Sequence, residues 1–169
     1  MKLSKHMIVT YSAEKANEGH VDPNFTQLVY GNSNKNGNSI RNNLEVGSFI
    51  FFNARIDKKR YITAYFYVEK ILIQGENDQE IDSLNCSAKE DEVIIIGSRL
   101  HSKVLTIPLV LDRSLMEKIK SYNADSNYFE IKKIAGISEL AAIKDKTLNP
   151  TKITEEEKEM LIKLCRNRG

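Results

Sequence analysis

The chain has 169 residues, 41% hydrophobic and 28% charged, a balance that excludes disordered and fibrous classes and suits a single globular domain. Its formal net charge of +2 is too small to demand a polyanionic partner by itself. No apolar stretch reaches bilayer length, no lipidation motif is evident, and Cys86 and Cys165 stand far apart without CxxC spacing, so no membrane partner and a cytoplasmic address are expected. The basic excess lies early: residues 1 to 72 hold ten Lys and Arg against six Asp and Glu.

In chain order, residues 6 to 11 (HMIVTY) read as a first strand, followed by a long Asn-, Gly- and Ser-rich loop from Ser12 to Asn43 with a short possible strand over 25 to 30. A hairpin comes next: Phe49 to Arg55 as one strand, Asp57-Lys58-Lys59 as its tip, and Arg60 to Ile73 as a long second strand. Strict alternation there puts Ile62, Ala64, Phe66 and Val68 on a core face, with Tyr61, Thr63, Tyr65 and Tyr67 opposite. After an acidic connector, Glu92 to Gly97 reads as a buried strand, and Val104 to Leu111, carrying Pro108, as an edge strand. A helix is expected from Asp112 to about Tyr122, with Ser114 and Glu117 as one possible capping box. Ser138 caps another over 139 to 144, and Thr154 with Glu157 caps a terminal helix.

Catalytic motifs are absent from this reading. His6, His20 and His101 are scattered, neither cysteine has a near partner, and no GxGxxG, GxxxxGK[ST] or GxSxG occurs, so no metal, no cofactor and no enzymatic activity are expected. Glu90-Asp91-Glu92 reads as a polar gatekeeper before an aggregation-prone strand in preference to paired acids.

Three features suit nucleic acid. Tyrosines on a sheet face can stack on unpaired bases, although for any single one packing beneath the terminal helices is the favoured reading. The segment from Tyr30 to Arg41 offers open backbone amides, the Asn32 amide, and Lys35 and Arg41 as phosphate partners; a plain flexible loop is the alternative. Arg99, Ser102 and Lys103 sit between two strands, where two cations and a hydroxyl suit a phosphate or an ordinary polar connector.

Thr10-Tyr11-Ser12, Leu44 to Phe52 and Tyr61 to Val68 together resemble the PUA-like superfamily, with its EVE, ASCH and YTH domains. The wider string, with His20, Asp22-Pro23, Tyr30-Gly31-Asn32, Ile96 to Arg99 and Ser102-Lys103, is similar to nucleotide-modification-associated domains and the N-terminal readers of McrB-type restriction proteins. Ser48 and Ala64 stand where that group commonly has Asp and Gly, and the chain has no tryptophan, so any cage must use Tyr and Phe.

The resemblance implies an α+β fold, a small curved mixed or antiparallel β-barrel with flanking helices over residues 1–135, and C-terminal helices over 136–169 packed on the same domain. It also implies a flipped, modified base held by Tyr11, Ser12, Phe52, Asn53 and Tyr65, with Tyr30, Asn32, Lys35, Arg41, Arg99, Ser102 and Lys103 along the backbone. The expected partner is DNA more than RNA, within a restriction system whose AAA+ motor or nuclease lies on a fused or separate segment. An RNA binder, an enzyme or accessory factor of nucleobase modification, and a protein-interaction module are the alternatives.

Overall fold

The structure, a computed structural model, describes residues 5–13 and 22–169. At its centre is the expected hairpin, strand β3 (Phe49–Ile56) antiparallel to the long strand β4 (Lys59–Ile73), with Asp57 at φ +57° in the turn. β4 is long enough to serve several neighbours. Strand β3 runs along one side, while β5 (Val93–Gly97) and β6 (Lys103–Val110) share the other, opposite Val68–Ile73 and Tyr61–Tyr65 respectively. Strand β1 (His6–Thr10) joins β3 in parallel and β7 (Thr151–Ile153) antiparallel, and β2 (Val29–Asn32) flanks β5. The order β2-β5-β4-β3-β1-β7, with β6 also on β4, is a mixed sheet with β2 and β7 at its ends, so the curved barrel expected from the sequence is left open.

Register shifts change the expected faces of β4. Asn53 lies opposite Ile62 while Phe52 lies opposite Ala64, so Thr63 is an extra residue and the alternation resets there. Ile62 therefore joins Phe51 beneath the C-terminal helices, whereas Ala64, Phe66 and Val68 face the other way with Met7, Val9, Ile50 and Phe52. The placement of Ile62 with Ala64 is corrected by that bulge.

The helices α3 (Arg113–Lys118), α4 (Ser126–Ile134), α5 (Glu139–Thr147) and α6 (Glu155–Cys165) cover the first of these faces, where Met116, Phe129, Ile143 and Leu161 pack with Phe51. Asp112 caps α3 by accepting from Leu115 N–H, while Glu117 pairs with Arg113, so the Ser114–Glu117 capping box does not form. Ser138 and Thr154 cap α5 and α6 as expected, the latter in a full capping box with Glu157.

The largest correction concerns the Asn-rich segment. Instead of a loop it forms the end of β2 and helix α1 (Asn34–Asn43). Tertiary packing overrides the poor propensity of Asn and Gly here. Gly37, Ile40 and Leu44 fall at helical spacing and are buried, and a β-carbon on Gly37 would lie 2.9 Å from the Asn32 carbonyl oxygen. The acidic connector likewise contains a short helix, α2 (Asp78–Asp82), anchored by buried Ile81.

Candidate functional site

The parallel pairing of β1 with β3 sets Val9 beside Phe52 and carries Tyr11 past the strand end, where its N–H donates to the Asn53 carbonyl. Tyr11 and Phe25 are half-buried and meet edge to face at 5.5 Å between ring centroids. Phe25 packs on Phe52 at 5.6 Å and on Phe66 at 6.1 Å, and Tyr30 packs on Phe52 at 5.1 Å. The result is a continuous aromatic cluster with a fully buried floor, Phe52 and Phe66, and a partly open rim, Tyr11 and Phe25. The Tyr11 hydroxyl pairs with Thr63 Oγ1 at 2.8 Å, an orientation made available by the bulge at Thr63. Burial raises the Tyr11 phenol above its ordinary pKa, and that hydrogen bond opposes the rise.

Beyond Tyr30 the cluster meets two carboxyl groups. Asp22, which precedes Pro23 across a cis peptide bond, accepts from Gly31 N–H at 3.0 Å. Asp91 accepts from Ser33 Oγ at 2.9 Å, and the same Ser33 Oγ accepts from Glu92 N–H. Asp22 is pushed up to about 8: burial penalises its charged form, outweighing the Gly31 N–H, and the hydrogen bond and charge of Asp91 add to the rise. Gly31 makes the arrangement possible, because a β-carbon there would sit 2.4 Å from Asp91 Oδ2. The Tyr30 phenol, itself raised mainly by burial, accepts from Asn32 Nδ2 at 2.7 Å beside this pair. The protonated Asp22 carboxyl is held within the fold, accepting from Gly31 N–H and hydrogen-bonding Asp91. Asp91 is thus half of an acid pair and not merely a polar gatekeeper.

The residues expected around a base separate into two groups. Tyr11 and Phe52 belong to the aromatic cluster, and Ser12 is exposed beside it. Asn53 is fully engaged within the fold, donating to the Val9 carbonyl and accepting from Thr10 Oγ1 and Arg60. Tyr65 lies on the opposite side of the sheet, packed on Phe49 and Phe51 near Cys165 of α6, so the helices claim it.

The residues expected along the backbone do not converge. Tyr30 is buried and Asn32 bonds to it, both at the acid pair. Lys35 and Arg41 are exposed on α1 six residues apart, which places them about 120° apart around a helix. Arg41 is also paired with Glu76 at 2.9 Å. Ser102 accepts from Tyr67 N–H, and Lys103 donates to the Arg166 carbonyl, so both tie elements together. Arg99 is exposed on the β5–β6 turn, along a groove of about 610 Å³ with Gln27, Asn85 and Leu100. His20 lies outside the described residues.

Sequence reasoning missed Phe25, Asp22 and Asp91 as a site. Asp22-Pro23 and Tyr30-Gly31-Asn32 stood in the family string, but nothing in the spacing joined them to Asp91. Among the described residues no group of three His, Cys, Asp or Glu side chains is placed to hold a metal ion.

No family model matches the sequence, and no curated protein matches it. Several solved structures are similar in fold. A hypothetical protein from Leishmania major has a TM-score of 0.52 at 10% identity, covering 95% of this chain and 94% of that one. ASCH from Zymomonas mobilis has a TM-score of 0.40 at 13% identity, covering 95% of each chain. Human THYN1, solved with DNA containing 5-methylcytosine, has a TM-score of 0.46 at 12% identity, covering 97% of this chain and 99% of that one. At 10% identity, the first of these is a likeness of fold alone. The protein is an α+β domain with an open, curled mixed sheet and flanking helices, the architecture that the PUA-like resemblance implies.

Proposed function

We propose that this protein is a PUA-like nucleic-acid-binding domain that takes a modified base, flipped out of duplex DNA, against the Tyr11–Phe25 rim, and that it serves a modification-dependent restriction system alongside an AAA+ motor or nuclease. The observation that carries this reading is the half-buried Tyr11–Phe25 pair over the buried Phe52 floor, whose aromatic cluster continues through Tyr30 toward the Asp22–Asp91 carboxyls. Stacking on aromatic rings offsets the few kcal/mol needed to extrude a base, at about 1–3 kcal/mol per base. The backbone contacts are fewer than the sequence suggested, with Lys35 the exposed cation nearest in sequence to Asn32 and Lys89 exposed two residues before Asp91.

The test is fluorescence anisotropy with labelled duplexes carrying 5-methylcytosine, N4-methylcytosine, N6-methyladenine or no modification, at several salt concentrations. One modified duplex is expected to bind tighter than the unmodified duplex, with all affinities falling as salt rises. Equal affinity across the panel removes the claim of base recognition, and preference for a single-stranded RNA competitor reassigns the domain to RNA.

The acid pair favours one second reading, an enzyme acting on a nucleobase in the same place. A carboxyl group with its pKa near neutrality is suited to general acid–base work. Incubation with modified oligonucleotides followed by mass spectrometry separates the two: a binding module leaves every mass unchanged.

A further inference from the structure

We propose that the cleft between the β3–β4 turn and α5 is a phosphate site, in which buried Arg60 and exposed Lys58 and Lys59 receive one phosphate group of the bound nucleic acid. This inference rests on the nucleic-acid reading above and adds a contact on a different part of the molecule. The cleft measures about 250 Å³ and is lined by those three cations and by Leu111, Leu140 and Ile143.

Arg60 is the reason to assign it a ligand. The residue is only 7% exposed, its Nη1 donates to Asn53 Oδ1 at 2.9 Å, and its Nε–H has no partner among the described residues. That Nε–H is sealed within the fold, so an oxyanion in the cleft would meet Arg60 at the outer edge of its guanidinium, and an oxyanion is the acceptor that the planar fork fits best. Asn53 is in turn held by the Val9 carbonyl at 2.9 Å, so the guanidinium is oriented before any ligand arrives.

Lys58 and Lys59 stand exposed at the turn, free to meet the same anion from outside. Two carboxylates also border the cleft. Asp112 is occupied as the cap of α3, and Glu139 is exposed in the first turn of α5. Three cations against two carboxylates leave a small positive excess, suited to one phosphate and not to a run of them.

The measurement is the dependence of binding to unmodified duplex DNA on salt, for the wild type, the double variant Lys58→Ala/Lys59→Ala, and Arg60→Gln. Each lost phosphate contact lowers the slope of log K against log salt by about 0.9, so a reduction of roughly one is expected in both variants. The lysines are solvent-exposed turn residues, so the double variant keeps the test valid even where Arg60→Gln fails to fold. Wild-type binding with an unchanged slope in the double variant, or in a folded Arg60→Gln protein, overturns this inference and leaves the base-reading proposal standing. Failure of the wild type to bind DNA at any salt overturns both.

Discussion

Replacing Asp22 by Asn is expected to abolish a loss of stability that the wild type suffers as pH rises from about 4 to about 8. In the folded protein Asp22 is pushed up from 3.8 to about 8, first by burial and then by Asp91. Over that interval the folded state holds a proton that the unfolded chain has released. Stability from this group is therefore complete below the unfolded pKa, declines as pH rises, and is gone above the folded pKa. Asn presents the same Oδ1 to Gly31 N–H and cannot ionise, so it mimics the protonated acid at every pH. Urea unfolding at about pH 5 and about pH 8 should show the wild type weakening relative to Asp22→Asn, with the gap between the two proteins smaller at the lower pH. Parallel pH profiles for the two would show that Asp22 does not carry the shifted proton. The same substitution removes the switchable donor, so any pH dependence of base preference that arises from Asp22 should vanish with it.

Phe52→Ala is expected to cost about 3–5 kcal/mol, a large share of the total stability of a domain this size. Phe52 is completely buried and meets Phe66 at 4.6 Å, Tyr30 at 5.1 Å and Phe25 at 5.6 Å between ring centroids. Truncation removes the shared support of three rings, and the bulged backbone at Phe52–Asn53 limits how far the cavity can close. Chemical denaturation should show the midpoint falling steeply, while Phe52→Leu retains most of the volume and loses much less. A cost below about 1 kcal/mol for Phe52→Ala would mean that the cluster is not tightly packed.

The parts of this fold that the sequence reveals are those written in local periodicity. The hairpin around Asp57, the strand over Val93–Gly97 and the capped helices beginning at Glu139 and Glu155 follow from alternation, β-branched runs and Ser or Thr caps. Features that depend on contacts across the chain are hidden. Helix α1 has the composition of a loop, and only the Gly37, Ile40, Leu44 spacing hints that its buried face belongs to a helix. The bulge at Thr63 leaves no local mark, yet it moves Ile62 to the other face and turns Thr63 toward Tyr11.

The same distinction governs the site. Tyr11 and Phe52 enter only through the family resemblance, and parallel pairing of β1 with β3 is what brings their strand ends together in the fold. Tyr65 carries the same chemistry one strand away, but the pleat directs it to the helices, and no count of aromatics could have separated the two. Asp22 and Asp91 meet because antiparallel pairing of β2 with β5, with Asn32 opposite Val93, sets the end of β2 beside Asp91, while Asp22 reaches back along β2 to accept from Gly31 N–H. A carboxyl pair built from two distant loops has no spacing to detect.

The aromatic rim is the part of the account on which base recognition depends, and Tyr11 is the residue that tests it. Binding of the preferred modified duplex should fall roughly 5- to 100-fold in Tyr11→Ala, the equivalent of one lost stack, and should survive in Tyr11→Phe, which keeps the ring and loses only the Thr63 hydrogen bond. Undiminished affinity and undiminished preference for the modified duplex in a folded Tyr11→Ala protein would contradict it.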